Sequence, residues 1–333
     1  MSRAARTDFE EYGLGRGPFP VSGRLLLLTV DFEAFAPEML PLWLDAMHYW
    51  AACATRRGLR FSFFLSVEDA IRIRATGQEE YRQLLAAMRA LDDAGTLFYA
   101  HNHFLFDAET GQKRPLDREP AEPSRGYGKR KSVFYDVCRR HRSDWATWMN
   151  TVRGTFERVR TDAGCRKPTF SVFRAGGWDY GESRADLTQY IEGLAAAGFH
   201  GDSSACCGRF GTPGWRVGAD YGRNVFWLDG RLVEIAPSWS VDMSVRPSSP
   251  SCFWNLLSLG RQSRLWAGQS GVCVVVLHFD HLFNGCSTGL MESPDSRDIQ
   301  LVRVRVRRLF RLLRLLQSLL RFKNGTFESL RAT

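Results

Sequence analysis

Short apolar runs alternate with helical repeats along the first third of the chain. RLLLLTVDFEAF, LRFSFFLS and TLFYAHNHF have the length and composition of strands that are buried on both faces of a sheet. Between them, residues 39–57 and 76–94 place apolar side chains at spacings of three and four, which predicts helices ending at Gly58 and Gly95. Strand and helix in alternation are typical of a parallel α/β sheet.

The same alternation returns in the second half of the chain. Residues 107–150 are rich in charge, Gly and Pro, and predict an insertion over one end of the sheet. The later elements are helices at 143–163, 184–197 and 298–321, a hairpin around Asp229 and Gly230, and the strands PTFSVFRAGG and GVCVVVLHFDH. We therefore expect a polar N-terminal arm at 1–22 and a single α/β domain at 23–333.

Composition and the N-terminal residues predict the class of the protein and its cellular location. The 333 residues are 44% hydrophobic, which is enough for a large core, and no stretch has the roughly 20 uncharged apolar residues of a membrane span. MSRAARTDFEEYGLGRGPFP lacks the apolar centre of a secretory signal, so we expect a cytoplasmic protein. Its eight cysteines show no C-x-x-C repeat and are expected to be reduced thiols; a redox-active pair at Cys206 and Cys207 is the alternative.

The basic character of the chain lies mainly in its last segment. Residues 301–333 hold nine Lys or Arg and one acidic residue, whereas the whole chain has a net charge of +9. A charge confined to one terminal segment does not indicate a nucleic-acid-binding protein. The helix at 298–321 has an apolar stripe and an arginine stripe, which fits either the last helix of the domain or a peripheral contact with an anionic membrane.

Polar side chains follow four of the predicted strands at the point where each strand ends. The carboxyl ends of parallel strands meet at one edge of a sheet, so residues distant in sequence are expected to come together there. These residues are Asp31 and Glu33, His101 and His103, Arg174, and His278.

The chemistry of this set is that of a metal-dependent catalyst. Residues two apart on a strand share a face, so one carboxylate and the two imidazoles can bind a divalent ion and leave open positions for water and substrate. The other carboxylate could then act as a base, held ionised by Arg174, and His278 could act as an acid, with His281 as its rival.

The order of these motifs resembles a known family. TVDFEAF, HNH, FRAGGWDYGE, GFHGDSSA and VVVLHFD, spread over about residues 24–330, are similar to the polysaccharide deacetylase family, carbohydrate esterases with a chitooligosaccharide-deacetylase homology domain. The resemblance implies a distorted (β/α) barrel of seven or eight strands. It also implies metal-assisted hydrolysis of N- or O-acetyl groups on sugars.

The resemblance also implies roles for individual residues. Asp31 takes the place of the base, Arg174 positions it, and His278 is the general acid. The metal ligands fall on Glu33, His101 and His103, and the residues near substrate are Gly177, Trp178, Asp202, Ser203 and Leu277.

Two motifs depart from the family's commonest pattern. D-x-E replaces two adjacent aspartates, and H-x-H replaces histidines four apart, as in a variant subset of the family. Asp107, four residues beyond His103, is an alternative third ligand. Zn²⁺ is the ion we expect, with Fe, Co or Ni as alternatives.

The expected substrate is an N-acetylated sugar, in a polysaccharide or in its nucleotide-linked or lipid-linked precursor, such as that of an O-antigen. Trp178, Trp215, Trp227 and Trp239 are candidates for stacking on sugar rings and equally for the core. Two other classes compete with this interpretation. A catalytically inactive barrel could bind an anionic glycan, and an iron oxygenase could use the same ligand types, although its carboxylate ordinarily lies close to the first histidine.

Overall fold

The computed structural model describes residues 13–32, 40–103, 145–176, 184–204, 225–237, 239–241, 271–278, 283–284, 300–301 and 303–330. Its strands are β1 (Gly15–Pro18), β2 (Arg24–Phe32), β3 (Ser62–Ser66), β4 (Leu97–Asn102), β5 (Val172–Ala175), β6 (Gly201–Asp202), β7 (Val225–Leu228), β8 (Leu232–Ile235), β9 (Trp239–Val241), β10 (Gly271–His278), β11 (Phe283–Asn284), β12 (Gln300–Leu301) and β13 (Lys323–Gly325). Its helices are α1 (Leu40–Arg57), α2 (Val67–Thr76), α3 (Gln78–Asp93), α4 (Trp145–Asp162), α5 (Arg184–Ala196) and α6 (Arg303–Leu320), followed by a 3₁₀ helix at Phe327–Leu330.

One large sheet organises these elements. Its order is β1-β7-β8-β6-β5-β4-β3-β2-β10-β9, with β13 beside the start of β2. The strands from β8 to β9 in this order run parallel to one another, whereas β7 is antiparallel to both of its neighbours, β1 and β8. The predicted α/β class is confirmed. Among the described residues the path of strands is not a closed ring, and an open ring of parallel strands agrees with a distorted barrel.

The two faces of the sheet bury different sets of side chains. The larger cluster lies between the sheet and the helices, and we call this the helix-facing side. On the other side, which we call the inner face, side chains from seven strands and the 3₁₀ helix form a second cluster that includes Leu27, Phe64, Tyr99, Val274 and Phe327. Alternation along each strand therefore sends every second residue to the inner face, and the polar residues at the strand ends follow the same rule.

Helix α6 packs against the rest of the fold through its apolar stripe. The ring of Phe310 lies 4.9 Å from that of Trp50 and 5.1 Å from that of Phe61, measured between centroids. Val306, Leu309 and Leu313 are buried beside it, while Arg307, Arg308, Arg311 and Arg314 are exposed. The interpretation of this segment as a packed outer helix is confirmed. None of the helices in the described ranges combines the length and hydropathy of a membrane span.

Two features at the side of the sheet depend on local sequence. Asp229 and Gly230 both have positive φ, 47° and 71°, which is the backbone of a tight hairpin turn, and β7 and β8 pair antiparallel across it as predicted. In the described part of the N-terminal arm, β1 pairs with β7 and Leu14 is buried, so these residues extend the sheet. The insertion predicted at 107–150 lies outside the described residues up to Trp145, where α4 begins.

Candidate active site

The sheet brings the polar ends of β2, β4, β5 and β10 to one edge. In the pairing of β4 with β5, His101 is level with Arg174, and in the pairing of β10 with β2, His278 is level with Asp31. Asp31, His101 and Arg174 are each at most 3% exposed. Four separate segments thus meet at the carboxyl edge of the sheet. Asp31, His101 and Arg174 lie there, and the backbone of His278 lies beside them.

Arg174 is a fully buried cation with a full set of partners. Its Nη1 donates to Asp31 Oδ1 at 2.5 Å and to Thr29 Oγ1 at 3.1 Å. Its Nη2 donates to Thr29 Oγ1 and to Ser203 Oγ, at 3.1 and 3.0 Å, and its Nε donates to the Ser203 carbonyl at 3.2 Å. A guanidinium has five N–H groups, so these five contacts use all of them. The charge is therefore held in one orientation, aimed at Asp31.

The residues around the guanidinium are placed by strand periodicity. Thr29 and Asp31 are two apart on β2 and share the inner face, and the Thr29 hydroxyl donates to the Val275 carbonyl of β10 at 3.0 Å. The guanidinium carbon lies 3.8 Å from the centroid of the Phe64 ring, on the strand between β2 and β4. Arg174 thus reaches across the inner face from β5 to β2, over an aromatic ring that excludes water.

The two histidines converge. Their Nε2 atoms lie 3.1 Å apart, with the rings nearly perpendicular at 87°. His101 Nδ1 lies 3.0 Å from the Arg174 carbonyl, which accepts only, so this nitrogen carries a proton and Nε2 is the ring nitrogen placed to act as a ligand. Two ring nitrogens at that separation either share one hydrogen bond or direct both lone pairs toward one cation.

This donor set is a partial fit to a divalent ion. A ligating imidazole commonly donates its other N–H to a backbone carbonyl, as His101 does here. Within the described ranges, the two histidines are not part of a cluster of three or more His, Cys, Asp or Glu. Glu33 and Asp107, the candidates for the third ligand, lie outside those ranges. His101 and His103 fit the expected metal site. The ligand roles of these two histidines, and of Glu33 and Asp107, remain predictions.

Glu68 and Gly176 support His103 and were not predicted from the sequence. Glu68 is fully buried in the first turn of α2, and its Oε1 accepts the His103 backbone N–H at 3.0 Å. A side chain on Gly176 would overlap the His103 ring, so the first glycine of R-A-G-G leaves room for an imidazole. A signal for Glu68 was present: Ser66-Val-Glu-Asp69 is a helix start directly after a strand, and Ser66 Oγ accepts the Asp69 N–H at 3.4 Å.

The predicted substrate residues divide between the two faces. Ser203 faces Arg174, whereas Asp202 lies on the helix-facing side, where its Oδ1 accepts from the Tyr190 hydroxyl of α5 at 2.8 Å. Leu277 is also buried on the helix-facing side. Asp202 and Leu277 therefore lie on the opposite face of the sheet from Arg174 and Asp31. This position differs from the direct contact with substrate that we expected. Gly177 and Trp178 are outside the described residues.

The described cysteines are poor candidates for a competing nucleophile. Cys53, Cys165 and Cys273 are buried and unpaired by disulfides. Burial, together with the charge of Asp92, raises the pKa of Cys165 to about 12, and burial also raises the pKa of Cys273. Such thiols stay protonated near neutral pH and are unreactive, which agrees with the expected reduced state. Cys206 and Cys207 lie outside the described residues.

Comparison with known proteins finds similarity to solved structures alone. No protein-family model matches the chain, and no curated protein matches it. A family 4 carbohydrate esterase from Streptomyces lividans is 12% identical with a TM-score of 0.38, over 93% of this chain and 95% of that one. A peptidoglycan N-acetylglucosamine deacetylase is 10% identical with a TM-score of 0.39, over 94% and 90%.

A family 4 pseudoenzyme from Bacillus anthracis is also similar, at 10% identity and a TM-score of 0.39, over 93% of this chain and 66% of that one. These proteins come from the same group of carbohydrate esterases that the sequence motifs resemble. These solved structures include both enzymes and a pseudoenzyme. The functional proposal therefore depends on the contacts at the edge of the sheet.

Proposed function

We propose that this protein is a metal-dependent deacetylase that hydrolyses the N-acetyl, or O-acetyl, group of a sugar. The observation that supports it best is the pairing of Asp31 with the fully buried Arg174, directly beside two converging imidazoles at the carboxyl edge of a parallel sheet. A buried, oriented carboxylate next to nitrogen ligands is what metal-assisted hydrolysis requires. The proposed substrate is a polysaccharide or its nucleotide-linked or lipid-linked precursor.

The chain's own groups have separate roles in this reaction. Arg174 holds Oδ1 of Asp31 and orients the carboxylate, which can then take a proton from the attacking water. His278, whose backbone is level with Asp31, is proposed to protonate the nitrogen that leaves the acetyl carbon. The amide C–N bond breaks, and the products are acetate and a free amine on the sugar.

The metal site is proposed to consist of His101, His103 and Glu33, with Asp107 as the alternative third ligand. When bound, Zn²⁺ or a similar divalent ion would polarise the acetyl carbonyl and make a bound water more acidic. The Arg174 carbonyl fixes the His101 ring, and the Glu68 carboxylate fixes the backbone at His103. The first contact orients the His101 imidazole directly, and the second holds the backbone from which the His103 side chain projects.

Release of acetate is the experiment that tests this function. Purified protein supplied with Zn²⁺, Fe²⁺, Co²⁺ or Ni²⁺ is incubated with N-acetylated oligosaccharides and nucleotide sugars, and acetate is measured. We expect release by the wild type and a loss of about 10²- to 10⁴-fold for Asp31→Asn, since general base catalysis contributes that much. Lack of acetate with every ion and substrate, combined with glycan binding, would instead support an inactive barrel.

We also propose a peripheral contact between α6 and an anionic membrane, near a lipid-linked substrate. Its exposed arginines are accompanied by Val304 and Leu315, which are 44% and 54% exposed. Arg308 and Arg311 lie between these two at helical spacing, so the outward stripe combines cations with apolar side chains. A stripe of this kind suits phospholipid headgroups and the boundary beneath them.

Sedimentation with vesicles tests the membrane contact. We expect binding to phosphatidylglycerol vesicles that weakens at least tenfold when the α6 arginines Arg307, Arg308, Arg311 and Arg314 are all replaced by Gln, at about 1 kcal/mol per charge. The matched control carries the same number of Arg→Gln changes on other faces, at Arg82, Arg89, Arg158 and Arg231. Equal binding by the two variants would show that α6 is not the contact.

A further inference from the structure

Two carboxyl groups are buried together behind the edge of the sheet. Asp202 of β6 and Glu234 of β8 are register partners on neighbouring parallel strands, so their side chains lie side by side. Both are 0% exposed, on the helix-facing side beneath α5. Neither is part of the base and metal machinery described above. Burying two adjacent ionised acids is costly unless they are hydrogen-bonded and at least one of them is neutralised.

The hydrogen bonds of Asp202 leave one of its two oxygens without a donor. Asp202 Oδ1 accepts from the Tyr190 hydroxyl at 2.8 Å and from Ser204 Oγ at 2.7 Å. Asp202 Oδ2 is buried and has no hydrogen-bond partner among the described residues, and the register places Glu234 on the next strand beside it. Two carboxylates are both acceptors, so a hydrogen bond between them forms only when one of them is protonated.

The surroundings favour the protonated form of Asp202. Burial raises the pKa of Asp202, and hydrogen bonds from Ser204 and Tyr190 oppose the increase in part. Tyr190 is the titratable group that faces the pair from α5, and its own pKa is raised by burial and then by the charge of Asp202. Phe226 of β7 is level with Glu234 on the other side and brings no charge.

Hydrogen bonds connect this pair to Arg174. Ser204 Oγ, which donates to Asp202, accepts the backbone N–H of Ala175 at 2.8 Å, directly after Arg174. Ser203 supplies the carbonyl and the hydroxyl that Arg174 binds, and its hydroxyl donates to the Ile235 carbonyl at 2.9 Å, next to Glu234. Asp202 thus directly precedes Ser203, which binds the guanidinium. Glu234 directly precedes Ile235, whose carbonyl accepts from the Ser203 hydroxyl.

We propose that Asp202 and Glu234 share a single proton and that this pair, through Ser203 and Ser204, positions Arg174 for its contact with Asp31. Asp202 is then a positioning residue, in place of the substrate contact expected from the sequence. The contribution of Asp202 to catalysis rests on the proposed deacetylase function. The shared proton and the position of Arg174 are independent of that function.

Nuclear magnetic resonance of the Arg174 Nε–H tests the positioning without substrate. The signal is assigned by its absence from Arg174→Lys. We expect Asp202→Ala to shift or broaden it and Asp202→Asn, whose amide retains the bonds, to restore it. Ser204→Ala, which cuts the link to Ala175, is a second variant in case Asp202→Ala does not fold.

The matched control is Asp92→Ala, which removes another buried acid, one that pairs with Arg166 before the start of β4. That change lowers stability but is expected to leave the Arg174 signal in place. An Arg174 signal that is unchanged in both Asp202→Ala and Ser204→Ala would overturn the positioning role.

The shared proton is tested by the pH dependence of unfolding. A carboxyl whose pKa is raised in the folded state stabilises the fold fully below its unfolded pKa, and this contribution is lost as pH rises through the folded pKa. The pair should therefore raise the unfolding equilibrium constant about tenfold per pH unit above about pH 4, until the proton leaves. We expect Asp202→Asn with Glu234→Gln to remove that slope. Equal slopes in the wild type and this double variant would overturn the shared proton.

Turnover separates this inference from the proposed function. If the wild type releases acetate, Asp202→Ala is expected to lower kcat at least tenfold with little change in KM, and Asp202→Asn to restore it. Unchanged kcat in Asp202→Ala would reject the positioning role and leave the deacetylase proposal intact. If the wild type releases none, the resonance and the unfolding slope still decide the inference.

Discussion

Replacing Arg174 by methionine is expected to lower the free energy of unfolding by about 3–5 kcal/mol, because it leaves the carboxyl group of Asp31 buried without its cation. Asp31 is 3% exposed, so water does not take the place of the guanidinium. Thr29 and Ser203 also lose their donors. Methionine fills much of the same volume, and so the cost comes mainly from the charge. Chemical denaturation of the two proteins at pH 7 measures it.

A second pair of variants shows whether burial is the cause. Arg303 and Asp45 form an ion pair whose side chains are 57% and 47% exposed, and Arg303→Met is expected to cost at most about 1 kcal/mol. Adding Asp31→Asn to Arg174→Met should recover part of the loss, since no buried charge then remains. A cost for Arg174→Met as small as that of Arg303→Met would show that the guanidinium is not what balances Asp31.

The sequence was sufficient to find the edge of the sheet because its signal is strong there. Long apolar runs predicted β2, β4 and β10 as buried strands, and the fold class followed from their alternation with helices. Polar residues that follow such runs lie at the carboxyl edge of a parallel sheet. Asp31 and Arg174, which are 143 residues apart, and His101 and Arg174, which are 73 residues apart, accordingly come together as expected.

The parts that the sequence did not reveal belong to short elements. Strand β6 has two residues, which is too few for an alternation to show which side chain faces inward, and Asp202 was assigned to substrate although Ser203 is the one on the inner face. Helix α2 begins directly after β3 with no loop, so the apolar pattern of one element runs into that of the next and Glu68 was overlooked. Periodicity needs several residues to become visible.

A variant with His101→Ala and His103→Ala is expected to bind no divalent ion, and the wild type is expected to bind about one equivalent of Zn, Fe, Co or Ni. The two Nε2 atoms converge at 3.1 Å, and a site that loses two nitrogen ligands cannot be completed by a carboxylate alone. Elemental analysis of the purified proteins measures the content, and titration with Zn²⁺ measures uptake. Acetate release should fall to background in the variant, whichever ion the wild type holds.

The control for this variant must remove imidazoles without touching the edge of the sheet. His48 is exposed on α1, and His200 interacts with Ser171 near the starts of β5 and β6, so His48→Ala with His200→Ala is expected to keep the ion. The His101 change also leaves the Arg174 carbonyl without its donor, at a cost of about 1–3 kcal/mol, which circular dichroism and denaturation can separate from unfolding. An ion that persists in the His101 and His103 variant at the wild-type stoichiometry would place the metal elsewhere and remove the basis for hydrolysis at Asp31.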